Sequence, residues 1–398
     1  MGIINKSARQ GSDKKVAIVG SPDLEFYGGT QVNVIQLANF LTERGYGTAI
    51  YGSGTYFNRK DVTLRKDIIY YKNAFNFDPF AWTLVQKLTR GVSEPLIGMF
   101  TSKVIYNIVK GYDKFYFTAP KFIFFSFLKY SRGNERIILG SYGTYFEYLL
   151  SKRNVVAKSL LNLFDSIFLR YARRRNVFIH ALNSFQRDYY LQRGLDPEKI
   201  FVIPQCDVDF TKFIVKDNDQ FRVLFLNRLS KDKGAHLIPK IAENCPDIDF
   251  TIVGDGPLMT FLRNQNMKNV KITGFLPEAV KEEEVSVCDV ILNLSDYESL
   301  SISSIEGLAA GLVVVSKEET MGLKFISKEV PDSVVFPTRH LDDIPKILNH
   351  LKDEKTRDRQ GILARKHQIR KIAQLSFDSP VIKDKMNKLF NSVFEERP

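Results

Sequence analysis

One local pattern, present twice, limits what this chain can fold into. Residues 16–20 form a short apolar run, Gly28, Gly29 and Thr30 make a turn, residues 32–41 recur at helical spacing, Gly45-Tyr46-Gly47 ends the helix, and residues 48–51 resume as a strand. The same order returns at residues 221–226, 235–243 and 250–253, the last followed by Gly254-Asp255-Gly256-Pro257. A strand, helix, strand unit of this length commits a chain to a parallel sheet with helices on its faces. Two independent starts predict two doubly wound domains, and 398 residues exceed what a single hydrophobic core supports.

The boundary is predicted in the polar stretch 204–219, after the strand at residues 200–203. This gives a disordered tail over residues 1–13, a first domain over 14–205, a second over 206–376, and a final segment, 377–398.

Composition excludes several classes. With 44% hydrophobic and 26% charged residues the chain is globular and not disordered. Cys206, Cys245 and Cys288 are odd in number and widely spaced, which argues for a reducing compartment and against disulfides or a zinc site. The five histidines never cluster at metal-ligand spacing. The first fourteen residues are polar and basic, unlike a signal peptide, and no apolar run reaches the roughly 18 residues of a membrane span. A cytoplasmic protein, soluble or peripheral on a membrane, is expected.

Charge is unevenly spread. Residues 1–210 hold 29 Lys and Arg against 17 Asp and Glu; from totals of 57 and 45, the remainder holds 28 against 28. The whole excess of +12 lies in the first half and favours an anionic partner there. The aromatic segment KFIFFSFLKYSRG, residues 121–133, is flanked by cations and suits an anionic membrane surface as well as a buried core. No nucleic-acid-binding motif is present.

The candidate chemistry gathers at a few places. Gly28 and Gly29 let a backbone approach a ligand, and the helix behind them offers its positive end to a phosphate. Neither GxGxxG nor GxxxxGK[ST] occurs, which removes support for nicotinamide and P-loop readings. Arg228 and Lys233 follow the strand at 221–226 and precede Gly234, where two cations can clamp a diphosphate. In DYESLSISSIEGLAAG, Glu298 falls in a loop after the strand at 290–294, where ligands of open α/β sheets bind. Ser303 and Glu306 have the spacing of a capping box at the next helix. Asp-x-Asp triplets at Asp207, Asp217 and Asp247 fall in linker or loop context and are read as structural.

Taken in order, FLNRLSKDKG, TIVGDGPL, ITGF and CDVILNLSDYESLSISSIEGLAAGLVVVS resemble the C-terminal domain of family 4 glycosyltransferases of the GT-B fold, including the pair of glutamates separated by seven residues. VAIVGSPDLEFYGGTQVNVIQLANFLTERGYGTAIYG looks like the same family's opening, and ALNSFQRDYYLQRGLDPEKIFVIP like its approach to the linker. The resemblance implies two Rossmann-like domains facing across a cleft, with the C-terminal segment a helix crossing back to the first. It implies a retaining, metal-independent glycosyltransferase that uses a nucleotide-sugar donor, UDP- or GDP-linked, with no further cofactor. Gly28, Gly29, Arg228 and Lys233 would then hold the diphosphate, Glu298 would lie by the donor sugar, and Glu306 would take the ribose hydroxyls. Gly254, Phe275, Ser301 and Ile302 complete the implied donor site. The acceptor would be a glycan or a lipid-linked sugar. Ser141-Tyr142-Gly143 stands where the family carries a histidine, so Tyr142 is the candidate on the acceptor side. Serine at 301 in place of the usual glycine keeps a second class open, a non-catalytic binding protein that retains the fold.

Overall fold

The computed structural model describes residues 2–4, 14–21, 29–52, 63–72, 106–107, 109–118, 130, 133–140, 166, 169–170, 172–175, 177–317, 319–336 and 342–395. The chain divides into two compact units, one of residues 1–205 with 385–398 and one of residues 206–384.

The first unit is built on one sheet. Its strands are β1 (Gly2–Ile4), β2 (Lys15–Ser21), β3 (Gly47–Gly52), β4 (Ile69–Lys72), β5 (Lys114–Phe117), β6 (Arg136–Gly140), β7 (Phe178–Ala181) and β8 (Ile200–Val202), in the order β1-β4-β3-β2-β5-β6-β7-β8. All neighbours are parallel except β1, which runs antiparallel to β4. The tail expected at residues 1–13 is therefore corrected at Gly2–Ile4, where three residues find backbone partners on a sheet edge. Val16 through Val19 and Phe115 through Phe117 are wholly buried, as continuous apolar strands are when helices cover both faces. Helix α1 (Gly29–Glu43) packs Val34, Ile35, Leu37, Ala38 and Leu41 inward. In β7 His180 is buried and bridges two elements: the Tyr116 hydroxyl meets Nδ1 at 2.5 Å and Nε2 meets the Ile203 carbonyl at 2.8 Å. Helix α2 (Ser184–Leu191) follows, capped by Asn183.

The second unit has a six-stranded parallel sheet. Strands β9 (Arg222–Leu226), β10 (Asp249–Val253), β11 (Val270–Gly274), β12 (Val290–Asn293), β13 (Val313–Ser316) and β14 (Val334–Val335) lie in the order β11-β10-β9-β12-β13-β14. The chain runs outward from β9 through β10 to β11, then returns to the other side of β9 as β12, so the topological switch lies between β9 and β12. Helices α3 (Ile238–Glu243), α4 (Met259–Arg263), α5 (Glu278–Ser286), α6 (Ile302–Ala309), α7 (Met321–Glu329), α8 (Asp343–Arg357) and α9 (Arg359–Phe377) follow the strands, and α10 (Ser379–Phe390) closes the chain.

An ion cluster holds α8 and α9 to the start of β12. Asp289, 5% exposed, receives both of its oxygens' contacts from Lys355 Nζ at 2.9 Å and one from Lys366 Nζ at 3.3 Å, and it accepts the Arg222 amide at 3.1 Å. Burial depresses the Lys366 ammonium below its ordinary range, and Asp289 opposes that depression.

The end of α10 and the turn after it dock on the first unit's own residues. Arg44 donates to Asn387 and Asn391 at 2.5 Å, and the Tyr46 hydroxyl donates to Glu395 at 2.9 Å. Burial first, and then Glu395, raises the Tyr46 phenol above its ordinary range. Among the described residues no helix is long and apolar enough to cross a membrane.

Candidate functional site

The two strands at the switch point carry the cations and the acids. In open α/β sheets the crevice beyond the carboxyl ends of such strands is where ligands bind. Arg228 and Lys233 follow β9, and Glu298 and Glu306 follow β12.

Beyond β9 the backbone turns sharply. Gly234 has φ +73° and packs so closely beneath the β12 loop that a Cβ there would lie 2.2 Å from the Leu294 carbonyl oxygen. Gly254, at the end of β10, has φ +134°, and a Cβ would meet the Asn227 carbonyl at 2.0 Å. Both positions require glycine because one loop's backbone rests on the next. For Gly254, close packing within the fold is thus sufficient reason for the residue. The Asp296 amide donates to the Asp232 carbonyl at 3.0 Å and Asn227 Nδ2 reaches Ser295 Oγ at 3.5 Å, joining the β9 and β12 loops.

This stitching brings Lys233 and Glu298 into contact. Lys233 Nζ donates to Glu298 Oε1 at 2.8 Å, and the Ser295 hydroxyl donates to the same oxygen at 2.8 Å. Glu298 is 9% exposed, so its carboxylate is held by two donors in a setting where an unpaired charge is costly. Arg228 is more open: Nη2 lies 3.1 Å from Asp232 Oδ2 with both side chains more than half exposed, and Nε is 3.3 Å from Ser230 Oγ. Such an exposed pair is worth about 0–1 kcal/mol and exchanges readily for a stronger anion.

The loop after β12 departs from the capping-box expectation. The cap is Ser301, whose hydroxyl accepts the Ser304 amide at 3.4 Å, and Ser303 lies inside α6. Ser301 Oγ also accepts from Asn293 Nδ2 at 2.9 Å, a buried bond that starts the helix two residues earlier than the Ser303–Glu306 spacing predicts. The Ser301 hydroxyl is thus engaged within the fold, and Ile302 opens the helix half-buried. Glu306, one turn on, pairs with Lys281 of α5: Nζ lies 2.6 Å from Glu306 Oε1 and 2.7 Å from Glu278 Oε2. Burial pushes the Glu306 carboxyl above its ordinary range, and Lys281 opposes that push. Burial alone would lower the Lys281 ammonium, yet Glu306 and Glu278 carry it above its ordinary value.

Phe275 follows β11 and is 52% exposed, three residues before the start of α5. Gly29 opens α1 in the first unit; Gly28 and Tyr142 lie outside the described residues, as do all of residues 121–133 except 130 and 133. The Asp-x-Asp triplets have structural partners. Asp209 caps a short turn through Thr211, Asp217 and Asp219 each hold Arg359 at 2.6 Å, Asp207 accepts from Ser379, and Asp247 lies 4.0 Å from Lys352. The residues that sequence reasoning missed are Ser295, Asn293 and Lys281. The last carries a weak signal, a single lysine within the acidic run EAVKEEEV.

Residues 209–367 match the family model described as Glycosyl transferases group 1. A subunit of the phosphatidylinositol N-acetylglucosaminyltransferase of Homo sapiens is 25% identical over 309 residues, which cover 73% of this chain and 59% of that protein, so the chain spans about three-fifths of that relative's length. Sucrose-phosphate synthase from Thermosynechococcus elongatus superposes with a TM-score of 0.69 at 17% identity, over 96% of this chain and 99% of its own. HepE of Anabaena, solved in complex with UDP, superposes with a TM-score of 0.66 at 16% identity, over 95% of this chain and 100% of its own. Over residues 209–367 the chain matches the glycosyl transferases group 1, and the whole chain has the GT-B fold.

Proposed function

We propose that this protein transfers a sugar from a nucleoside diphosphate sugar to an acceptor hydroxyl, with retention of anomeric configuration and without a metal ion. The observation that carries the reading is the contact of Lys233 with Glu298 at the switch point, beside Arg228. Sugar transfer breaks the bond between the anomeric carbon and the diphosphate oxygen and forms one to the acceptor oxygen, which loses its proton. Negative charge grows on the departing diphosphate. Arg228 and Lys233 are assigned to that charge, the task for which fixed donors are worth most. The Lys233 ammonium has three donors, so it can keep Glu298 and take a phosphate oxygen together. Glu298 is assigned to the sugar hydroxyls and Glu306 to the ribose.

The human relative's name, which specifies N-acetylglucosaminyl transfer and phosphatidylinositol, supports a lipid headgroup as acceptor, and the complex of HepE with UDP supports a UDP-sugar as donor. A lipid acceptor also accounts for the basic excess of residues 1–210, since an anionic membrane draws such a surface. The test is thermal unfolding of the full chain with UDP-glucose, UDP-N-acetylglucosamine, GDP-mannose and ADP-glucose. A ligand bound at 100 times its Kd stabilises by about 2.7 kcal/mol, so the donor declares itself by a raised midpoint. No shift with any of the four contradicts the proposal.

A further inference from the structure

We infer that Lys281 is a positioning residue of the nucleoside end of the site: it fixes the Glu306 carboxylate where the ribose hydroxyls of the donor meet it. The inference rests on the reading of Glu306 given above, and goes beyond it by assigning a residue on a different helix.

Helix α5 starts three residues after Phe275, which is exposed at the end of β11, and α6 starts just after the Glu298 loop. These two helices pack against each other, and Lys281 is the group that joins them: Nζ is 2.6 Å from Glu306 on α6 and 2.7 Å from Glu278 on its own helix. Both partners of the interhelical pair are largely buried, with side chains 14% and 13% exposed.

The charges around the pair define its role. Glu306 is surrounded by acids on α5. Glu278 shares Lys281, and Glu282 lies near enough to raise the Glu306 carboxyl further while itself pairing with Lys212 at 3.5 Å. From α9, which also packs on α6, the cations are engaged elsewhere: Arg370 donates to the carbonyls of Ala309, Phe213 and Phe210, and Lys366 to Asp289 and the carbonyls of Cys288 and Lys216. Among the described residues, Lys281 is the cation in ion-pair contact with Glu306. Without it, burial and two neighbouring carboxylates favour the protonated acid. A protonated carboxyl has lost acceptor capacity and gained a donor, so it no longer receives two ribose hydroxyls.

If Lys281 only tied the two helices, removing it would change donor affinity equally at every pH and whatever residue stood at 306, and this separates the two roles. Binding of UDP-glucose, UDP-N-acetylglucosamine, GDP-mannose and ADP-glucose to the full chain is measured by calorimetry at pH 6, 7 and 8, and the tightest donor is kept. These donors lack a phosphate that titrates in this window. Wild type and Lys281→Arg are expected to change less than about twofold across it, whereas Lys281→Met weakens by about tenfold from pH 8 to pH 6 as Glu306 takes up its proton. Glu306→Gln is expected to bind about 10- to 100-fold more weakly at every pH, and adding Lys281→Met to it has no further effect. Lys281→Gln replaces the methionine variant if that one does not fold. A Lys281→Met or Lys281→Gln protein with wild-type affinity and a flat profile overturns the inference while leaving the site reading intact. A wild type that binds none of the four donors overturns both.

Discussion

Replacing Asp289 by asparagine keeps the side chain's shape and removes its charge from between two buried ammonium groups. Lys355 and Lys366 have side chains 7% and 4% exposed, and Asp289 is the carboxylate that meets both. Breaking a buried ion pair by removing one partner costs about 3–5 kcal/mol. That cost has a ceiling, because a lysine can release its proton: from an ordinary value near 10.4, neutralising one at pH 7 takes about 4.6 kcal/mol. Asp289→Asn is therefore expected to destabilise the second unit by about 3–5 kcal/mol at pH 7. The sign of the pH effect follows. In the variant a lysine has a folded pKa below its unfolded one, so the unfolded chain binds more protons and stability rises with pH. About 2.7 kcal/mol should return between pH 7 and pH 9 if one lysine folds neutral. The assay is hydrogen exchange of amides in α8 and α9 at both pH values, which reads residues of the second unit alone. A triple replacement, Asp289→Leu with Lys355→Met and Lys366→Met, is expected to recover most of the loss. A change below about 0.5 kcal/mol in Asp289→Asn, the level of an ordinary surface substitution, would show that the cluster is not what holds these helices.

Three further outcomes are expected. His180 is buried and held to about 4 by desolvation, with the Ile203 carbonyl opposing, against an ordinary 6.5. Stability is therefore full above pH 6.5 and falls by up to about 3 kcal/mol as pH drops towards 4, and His180→Gln should remove that slope from the denaturant midpoint. Gly234→Ala places a methyl against the Leu294 carbonyl at a positive φ, which should cost about 2–4 kcal/mol by thermal unfolding; a neutral effect would mean the loop relaxes freely. The full chain should bind anionic liposomes and release them as salt rises, since exposed charges are screened beyond about 8 Å at physiological ionic strength. Neutralising Lys121, Lys129 and Arg132 together should weaken that binding and leave donor affinity unchanged, and equal binding to neutral vesicles at low salt would refute the membrane reading.

The doubled strand, helix, strand pattern made the fold class legible because buried parallel strands read as unbroken apolar runs, as in Val16 to Val19 and Val313 to Val315. That Arg228, Lys233, Glu298 and Glu306 lie beyond the strands flanking the switch point was legible for a related reason, since each follows one of those two strands in the chain. What escaped the sequence was pairing across long separation. Lys281 and Glu306 are 25 residues apart and meet only because two helices pack, and Asp289 meets Lys355 and Lys366 from 66 and 77 residues away. The cap of α6 was misplaced because Ser301, Ser303 and Ser304 all suit a cap locally, and the bonds from Asn293 of β12 to Ser301 and Ser304 form only when strand and helix pack. Gly2–Ile4 pairs with a strand some 66 residues away, which a short polar beginning does not announce.

Sugar transfer at the Lys233–Glu298 contact is the claim on which the rest depends, and one measurement addresses it directly. Release of nucleoside diphosphate is followed from the donor that stabilises the chain, in the presence of phosphatidylinositol vesicles and EDTA, for wild type and Glu298→Gln. Wild type is expected to turn over undiminished by the chelator. Glu298→Gln is expected to lose about 10²–10³-fold in turnover while binding the nucleotide nearly as well, because the partner proposed for it is the sugar and not the diphosphate. Activity that vanishes with EDTA and returns with manganese or magnesium, or a Glu298→Gln protein that turns over like wild type, would contradict it.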